Sequence, residues 1–299
     1  MLKKGQSTWW MKRTSKADII IAIIMIIMMV VSVYPFWYTI IVSFSDRAKV
    51  AAGYVIFAPL GFNINAYQLL LKDKGFFSSF FVSVFRVILG CAINMSVTLL
   101  AAYPLSKRDD EFKFRRAFAW FFMLNMLFTG GLIPWYLNVR NLKLIDTIWA
   151  LVLPGAVPIF NVILMMSFFR SLPGSLSEAA RVDGANPLLI LASIYIPISL
   201  PAIATITLFC VVNHWNSYFD GLILINTPEK QPLQTFIYQL SLNVSSKTMS
   251  TEELRQYMKV SNETLNAAKI GIAMVPILAV YPFLQRYFIV GITLGSIKE

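Results

Sequence analysis

"SEAARVDGANP" (Ser177–Pro187) is a short charged segment in a chain otherwise dominated by Ile, Leu, Met and Phe. It carries Glu178, Arg181 and Asp183 and runs into Gly184 and an Asn186-Pro187 breaker. Pro173 and Gly174 stop the apolar run before it. Ser175 and Glu178 have the S-x-x-E spacing of a capping box, which satisfies two orphan amides at a helix start. Gly184 suits the end of that short helix. Asn186 can cap a second one, with Pro187 in its first position. These signals predict a helix–turn–helix lying along a membrane surface. A helix of about eight residues is marginal in isolation, so something must hold it. Ala179 and Ala180 offer a small surface for close approach, and Glu178, Arg181 and Asp183 offer charges to a partner. From the residues alone two readings stand: an interfacial hairpin linking two spans, or a docking element.

The chain around it sets the frame. Of 299 residues, 57% are hydrophobic, 14% aromatic and only 14% charged, with a mean hydropathy of +0.66. Soluble domains are nearer 45–50% apolar and about 25% charged, so the composition implies an all-α polytopic membrane protein in a lipid bilayer. The formal net charge of +11 raises a nucleic-acid binder as a rival. The basic residues, however, sit in short blocks beside apolar runs, which is how membrane topology is written, and no nucleic-acid partner is expected. Cys91 and Cys210 lie within apolar runs and offer neither a disulfide framework nor a metal site.

About 20 apolar residues cross the hydrocarbon layer as a helix. Six segments qualify: 18–44, 78–105, 115–135, 147–169, 194–215 and 269–290. The first follows Lys3, Lys4, Lys12, Arg13 and Lys16; its apolar run is too long for a signal peptide and lacks a small-residue cleavage site. Positive charge in this tail and in "SKRDDEFKFRR" (Lys107, Arg108, Lys113, Arg115, Arg116) exceeds that in 136–146, which has only Arg140 and Lys143. Both termini are therefore expected in the cytoplasm. One membrane domain, 18–290, then lies between cytoplasmic tails 1–17 and 291–299. Segment 173–193 faces the cytoplasm. Loop 216–268 faces outward, with a short helix expected at Thr251–Lys259, and the outer segment 45–77 has turn signals for packing over that face.

Most enzymatic chemistry is missing from the sequence. It contains no G-x-x-x-x-G-K-[ST] loop to cradle phosphates, no G-x-S-x-G elbow, and a single histidine, His214, too few for a His-based metal cluster. The acidic pairs Asp109/Asp110 and Glu252/Glu253 read as solvated faces. The chain is read as a non-catalytic subunit without a metal or cofactor of its own.

The residues also match a known pattern. "EAARVDGANPLLILASIYIP" resembles the EAA signature of ABC importer permeases: Glu178-Ala179-Ala180, Gly184, then Ile194-Tyr195-Ile196-Pro197, with Ile196 where the family usually has Leu. "AAYPLSK" (101–107), "GGLIPWYL" (130–137), "ALVLPGAVPIFNVILMMSFFRSLP" (150–173), "NHWNSYFDGLI" (213–223) and "YPFLQRYFIVGITLGSIK" (281–298) are similar to the carbohydrate-uptake branch. Within it they look closest to the subgroup for complex oligosaccharides and aldouronates. The resemblance covers the chain from about residue 18. It implies the type I ABC importer permease fold, with six transmembrane helices and a cytoplasmic coupling helix, in a bacterial cytoplasmic membrane. Glu178, Ala179, Ala180 and Gly184 would form the joint with a cytoplasmic ATPase, flanked by Arg181 and Asp183. It also implies a second, homologous permease, two copies of that ATPase (which would use ATP and Mg), an extracytoplasmic solute-binding protein, and an oligosaccharide substrate that is acidic if the subgroup holds. Loop 216–268 would meet the binding protein.

Polar residues inside spans are costly and usually face a bundle interior or a water-filled path. Here they are Asn94, Asn125, Asn161, Asn213, His214 and Asn216, with Trp215, Tyr218 and Phe219 nearby. Stacking on rings plus amide hydrogen bonds suits sugars, which makes Asn161, Asn213, His214, Trp215, Asn216 and Tyr218 the expected translocation residues; helix–helix hydrogen bonding is the competing use. Arg86 is read either as snorkelling to the outer interface or as a contact for an acidic sugar. The competing classes are an importer permease for another solute, which would lack the "GGLIP" and "HWNSYF" blocks, and a secondary transporter. The latter would need coupling-ion sites and commonly has inverted repeats; no repeat is visible.

Overall fold

A computed structural model describes residues 16–72, 74–242 and 262–296. The described residues contain helices and no strand. In order these are α1 (Lys16–Ser43), α2 (Arg47–Ala51), α3 (Asn65–Lys72), α4 (Lys74–Ser106), α5 (Arg115–Leu127), α6 (Leu132–Asn141), α7 (Ile148–Val152) and α8 (Ile159–Ser171). Then follow α9 (Gly174–Val182), α10 (Pro187–Ile190), a π-turn (Leu191–Tyr195), α11 (Ile196–Ile198), α12 (Leu200–Asn216), α13 (Phe219–Leu224), α14 (Leu233–Leu242) and α15 (Asn262–Ser296). The helix expected at Thr251–Lys259 lies outside the described residues.

Two compact units form, 16–69 with 262–271 and 70–242 with 272–296. In the first, Ile, Met and Val occupy every side of α1, and only its last turn (Ile41, Val42, Ser43) is buried. A helix apolar all round suits hydrocarbon, where no polar face is needed. The chain turns sharply after it because Asp46 caps α2, accepting from the Ala48 amide at 2.9 Å. Ile41, Val42, Val50, Val55 and Ala267 then close a small core.

The second unit is organised by α4. Its buried residues, among them Ser79, Ser83, Arg86, Gly90, Asn94, Thr98 and Ala102, recur every three or four positions and form one stripe. Small and polar groups there let α8, α12 and α14 approach closely, which matters because lipid tails leave no hydrophobic drive for helices to associate. At the Ser106 end lies the apolar core. Tyr103, Phe169 and Tyr195 meet edge-on with centroids 5.0–6.5 Å apart, each pair worth about 0.5–1.5 kcal/mol beyond its burial.

Three expected spans run unbroken or nearly so: Lys16–Ser43, Lys74–Ser106 and Glu263–Val280 are long and apolar enough to cross a membrane. The other three are broken. In 115–135 the chain leaves the helix at Phe128, whose backbone is extended, and α6 departs from α5 at 115°. At about 1.5 Å per residue α5 reaches roughly 20 Å, short of a 30 Å hydrocarbon layer. In 147–169 a 48° bend follows Pro154 and Pro158. The span expected at 194–215 is shortened to α12. Ser199 donates back to Tyr195 O at 3.0 Å, and Pro187–Ile198 turns 86° away from α12. Ile194–Pro197 therefore belongs to the charged hairpin.

One loop contact fixes the far end of this unit. Asp146 accepts from the Thr227 amide (2.9 Å) and hydroxyl (2.6 Å), the Asn226 amide (3.1 Å) and Lys230 Nζ (2.8 Å). The Lys230 ammonium, followed by the Thr227 groups, holds its carboxyl well below the usual carboxylate range. A depressed carboxylate stabilises the folded form above its ordinary pKa of about 3.9 and loses that contribution as pH falls below it. Exchange protection of the Asn226 and Thr227 amides, corrected for intrinsic rates, is expected to fall below about pH 4 in the wild type. In Asp146→Asn it should already be low at pH 7. Equal protection in both proteins at pH 7 would refute this.

Candidate coupling and translocation sites

The charged hairpin begins two residues earlier than its capping signals predict. Pro173 occupies the N-cap with no side-chain hydrogen bond, and Gly174 is the first helical residue. Ser175 and Glu178 thus both sit inside α9, and the expected capping box does not form. Leu172 and Pro173 hold the extended backbone that an N-cap needs, which leaves Ser175 no cap position to fill.

The end of α9 follows the sequence closely. Gly184 has φ +79, a conformation that disfavours any residue with a Cβ. Its amide donates to Arg181 O (3.0 Å) and the Ala185 amide to Ala180 O (2.9 Å), the paired bonds of a Schellman motif. Asn186 accepts from the Leu189 amide at 2.8 Å, with Pro187 first in α10.

Burial divides the motif. Ala180 and Ala185 pack onto the Tyr103–Phe169–Tyr195 core, and Ser177 is buried. Glu178, Ala179, Val182, Asp183 and Gly184 are exposed. Val182 is 89% exposed, and Leu188 and Leu189 in α10 are also exposed. Sequence reasoning passed over Val182 because a single Val between Arg and Asp carries no pattern. Arg181 is not free either. It is ion-paired with Glu111, in the turn after α4.

Between α4, α8 and α12 lies an open cleft of about 380 Å³. Asn94, Asn161 and Asn213 line it with Phe160, Phe209 and Cys210. The two rings stand 6.4 Å apart, so amides and aromatic faces share one opening. Asn161 Nδ2 contacts Cys210 Sγ at 3.4 Å, and Asn213 is exposed. Asn94 is fully committed: Nδ2 donates to Gly155 O (2.7 Å) and Ala156 O (3.0 Å), and Oδ1 pairs with His214 Nε2 at 2.7 Å. Because that oxygen can only accept, the His214 proton is assigned to Nε2. A Cβ at position 90 would overlap the His214 ring, so glycine is what lets the two helices close here.

The remaining expected translocation residues separate. Trp215 does not line the cleft. It is 3% exposed, packs on Phe76, Phe80 and Leu233, and donates to Ala273 O at 2.9 Å. A buried indole is held where its N–H finds an acceptor, and the carbonyl at Ala273 draws this one inward. His214 is likewise interior, held by Asn94. Asn216, the last residue of α12, and Tyr218 just beyond it are exposed, with Tyr218 against Tyr238 at a 4.8 Å centroid distance. Asn125 donates to Phe121 O within α5.

Arg86 fits neither expectation placed on it. It is 2% exposed and forms a two-pronged ion pair with Asp220, with a further bond to Ser217 O at 3.3 Å. Asp220 also accepts from Ser217 Oγ (2.9 Å) and the Gly221 amide (2.8 Å). The guanidinium is consumed in clamping the α12–α13 junction to α4, so it neither snorkels nor offers charge to a sugar.

Residues 117–293 match the family described as the binding-protein-dependent transport system inner membrane component. The polygalacturonan/rhamnogalacturonan transport system permease protein YtcP of Bacillus subtilis strain 168 is 37% identical over 281 residues, covering 94% of this chain and 98% of its own. The protein LplC of the same organism is 38% identical over 268 residues, 90% of each chain. Among solved structures, a chain of a bacterial ABC transporter involved in the import of the acidic polysaccharide alginate superposes with a TM-score of 0.83 at 35% identity. That match covers 92% of this chain and 98% of the other.

Proposed function

We infer the function from the premise that this chain belongs to the family of binding-protein-dependent transport system inner membrane components: it is a permease subunit of an ATP-driven importer for acidic oligosaccharides. The observation that carries the reading is the charged hairpin. Its inner face is locked to the core by Ala180 and Ala185, while Glu178, Ala179, Val182 and Asp183 stand uncovered on a helix with a fixed end. A chain with no phosphate loop needs such a handle for a separate motor.

In this reading α9 docks into a cytoplasmic ATPase present in two copies, which binds ATP and Mg. A homologous permease completes the path, and an extracytoplasmic binding protein delivers the sugar. Both termini are cytoplasmic. The acidic class rests on relatives named for polygalacturonan and alginate. The Asn161 and Asn213 amides and the Phe160 and Phe209 rings supply neutral hydrogen bonds and stacking along the cleft, with Asn216 and Tyr218 further along α12 and its exit. His214 supports this lining through its bond to Asn94.

Reconstituting the chain with its partner permease, ATPase and binding protein tests the reading. Binding protein loaded with oligogalacturonate or an alginate oligosaccharide is expected to stimulate ATP hydrolysis. Stimulation by a peptide-loaded binding protein alone would overturn the sugar assignment. Val182→Asp is expected to weaken ATPase association about tenfold, the equivalent of about 1.4 kcal/mol, by placing a charge where an apolar side chain is buried on docking. Unchanged co-purification would count against α9 as the joint.

A further inference from the structure

We propose that the turn at 107–116 is a second coupling element, a brace in which Lys107 and Glu111 are positioning residues that carry displacement of α9 into α4 and α5. The proposal rests on the reading of α9 as the ATPase joint.

Three sets of contacts converge on this turn. The Arg181 guanidinium, from the last turn of α9, is ion-paired with Glu111. Lys107 Nζ lies 4.5 Å from the Tyr103 ring centroid and 4.4 Å from that of Tyr195, and donates to the Tyr195 hydroxyl at 2.9 Å. Leu105 O, near the end of α4, accepts from Arg170 Nη2 at 3.0 Å and Arg115 Nε at 3.3 Å. Asp109 holds Arg115 and Arg116, each at 2.6 Å.

The chemistry explains why these cations collect there. The last carbonyls of α4 lack intrahelical partners, and a helix C-terminus favours positive charge. Arg170 and Arg115 satisfy one such carbonyl and so tie the ends of α8 and α5 to α4. Lys107 extends the cluster into the hairpin, because an ammonium between two ring faces is attracted to both.

The mechanical consequence concerns direction. Through the backbone, α9 joins its neighbours at Pro173 and Gly184, and Ala180 and Ala185 pack it on the core. The brace adds two side-chain links outside those joints: Arg181 on α9, and Tyr195 in the π-turn. A displaced α9 therefore pulls the turn, and with it the last turn of α4 and the first of α5. Arg181, which its sequence context offers to a partner, serves inside the chain.

The experiment is the ratio of ATP hydrolysed to oligosaccharide imported, measured in proteoliposomes holding the complete complex. Glu111→Arg and Arg181→Glu, each alone, are expected to raise it about three- to tenfold. The double variant, which restores the pair in reverse, should return it to within about twofold of wild type. Lys107→Met should also raise it. Where a charge reversal prevents assembly, Glu111→Gln reads the same ratio with only one charge removed. An effect of Arg181→Glu without one of Glu111→Arg would assign Arg181 to the ATPase and overturn the brace, as would single variants that leave the ratio unchanged. Gly184→Asp, run in parallel, separates the two ideas. Uncoupling by Gly184→Asp beside silent brace variants removes the brace alone. A silent Gly184→Asp removes the reading of α9 itself.

Discussion

Gly184→Asp is expected to leave the subunit folded and assembled while ATP hydrolysis ceases to drive oligosaccharide uptake. Nothing lies within 4 Å of a Cβ built at Gly184, so no clash arises. Its φ of +79 imposes a strain of about 1–2 kcal/mol on an L-residue. Asp is among the residues that bear this conformation best, so the cost stays local. The functional cost is larger. The new carboxylate stands on the exposed side of the hairpin, at the C-terminal end of α9, where a negative charge opposes the helix dipole. Beside Asp183 it also doubles the charge that a docking partner must desolvate. We expect uptake per ATP to fall at least about tenfold. Gly184→Asn, which accepts positive φ without charge, should stay near wild type. Equal damage by Asn and Asp would move the cause from charge to backbone. Normal uptake by Gly184→Asp would remove α9 as the coupling element.

The largest expected effect on stability is at Arg86 and Asp220. Removing one partner of a buried ion pair costs about 3–5 kcal/mol, because the other charge is left uncompensated. The two single variants should differ. After Arg86→Met, Asp220 keeps the Ser217 hydroxyl and the Gly221 amide, and its side chain is 18% exposed. After Asp220→Ala, Arg86 keeps only the Ser217 carbonyl, in a site where its own side chain is 3% exposed. Asp220→Ala should therefore be the more destabilised in detergent unfolding, and Arg86→Met/Asp220→Leu should recover much of the loss. If the two single variants unfold alike and the double is worse than either, the pair is not the stabilising unit described here. Uptake of neutral and acidic sugars should respond alike to Arg86→Met, because the charge is spent within the chain.

These sites differ in how readable they were. The charged hairpin was legible because its punctuation is local: Gly184 and the Asn186-Pro187 step act on neighbouring peptide groups, and both form as expected. Its start was misread by two residues, since Pro173 had already supplied the cap backbone. The family was legible from blocks spread along the chain. Val182, Glu111 and Asp220 were not. Each acquires its role from residues far away in sequence, or from the absence of any neighbour above it.

By itself, the sequence determined an all-helical membrane chain, the stretches that hold its apolar helices, and the charged hairpin between two of those stretches. Composition and short-range capping carry that information, since the bilayer obliges every spanning backbone to close its hydrogen bonds within a helix. Only the tertiary structure decided which polar residues face an opening and which are interior. The three-to-four-residue stripe of small and polar residues on α4 does not show which face is buried until its partners arrive. Asn161 and Asn213 then line the cleft, while Trp215, His214 and Arg86 turn inward to Ala273, Asn94 and Asp220. The reason is energetic: a polar group in a span must find a partner, and long-range packing determines whether that partner is the protein itself.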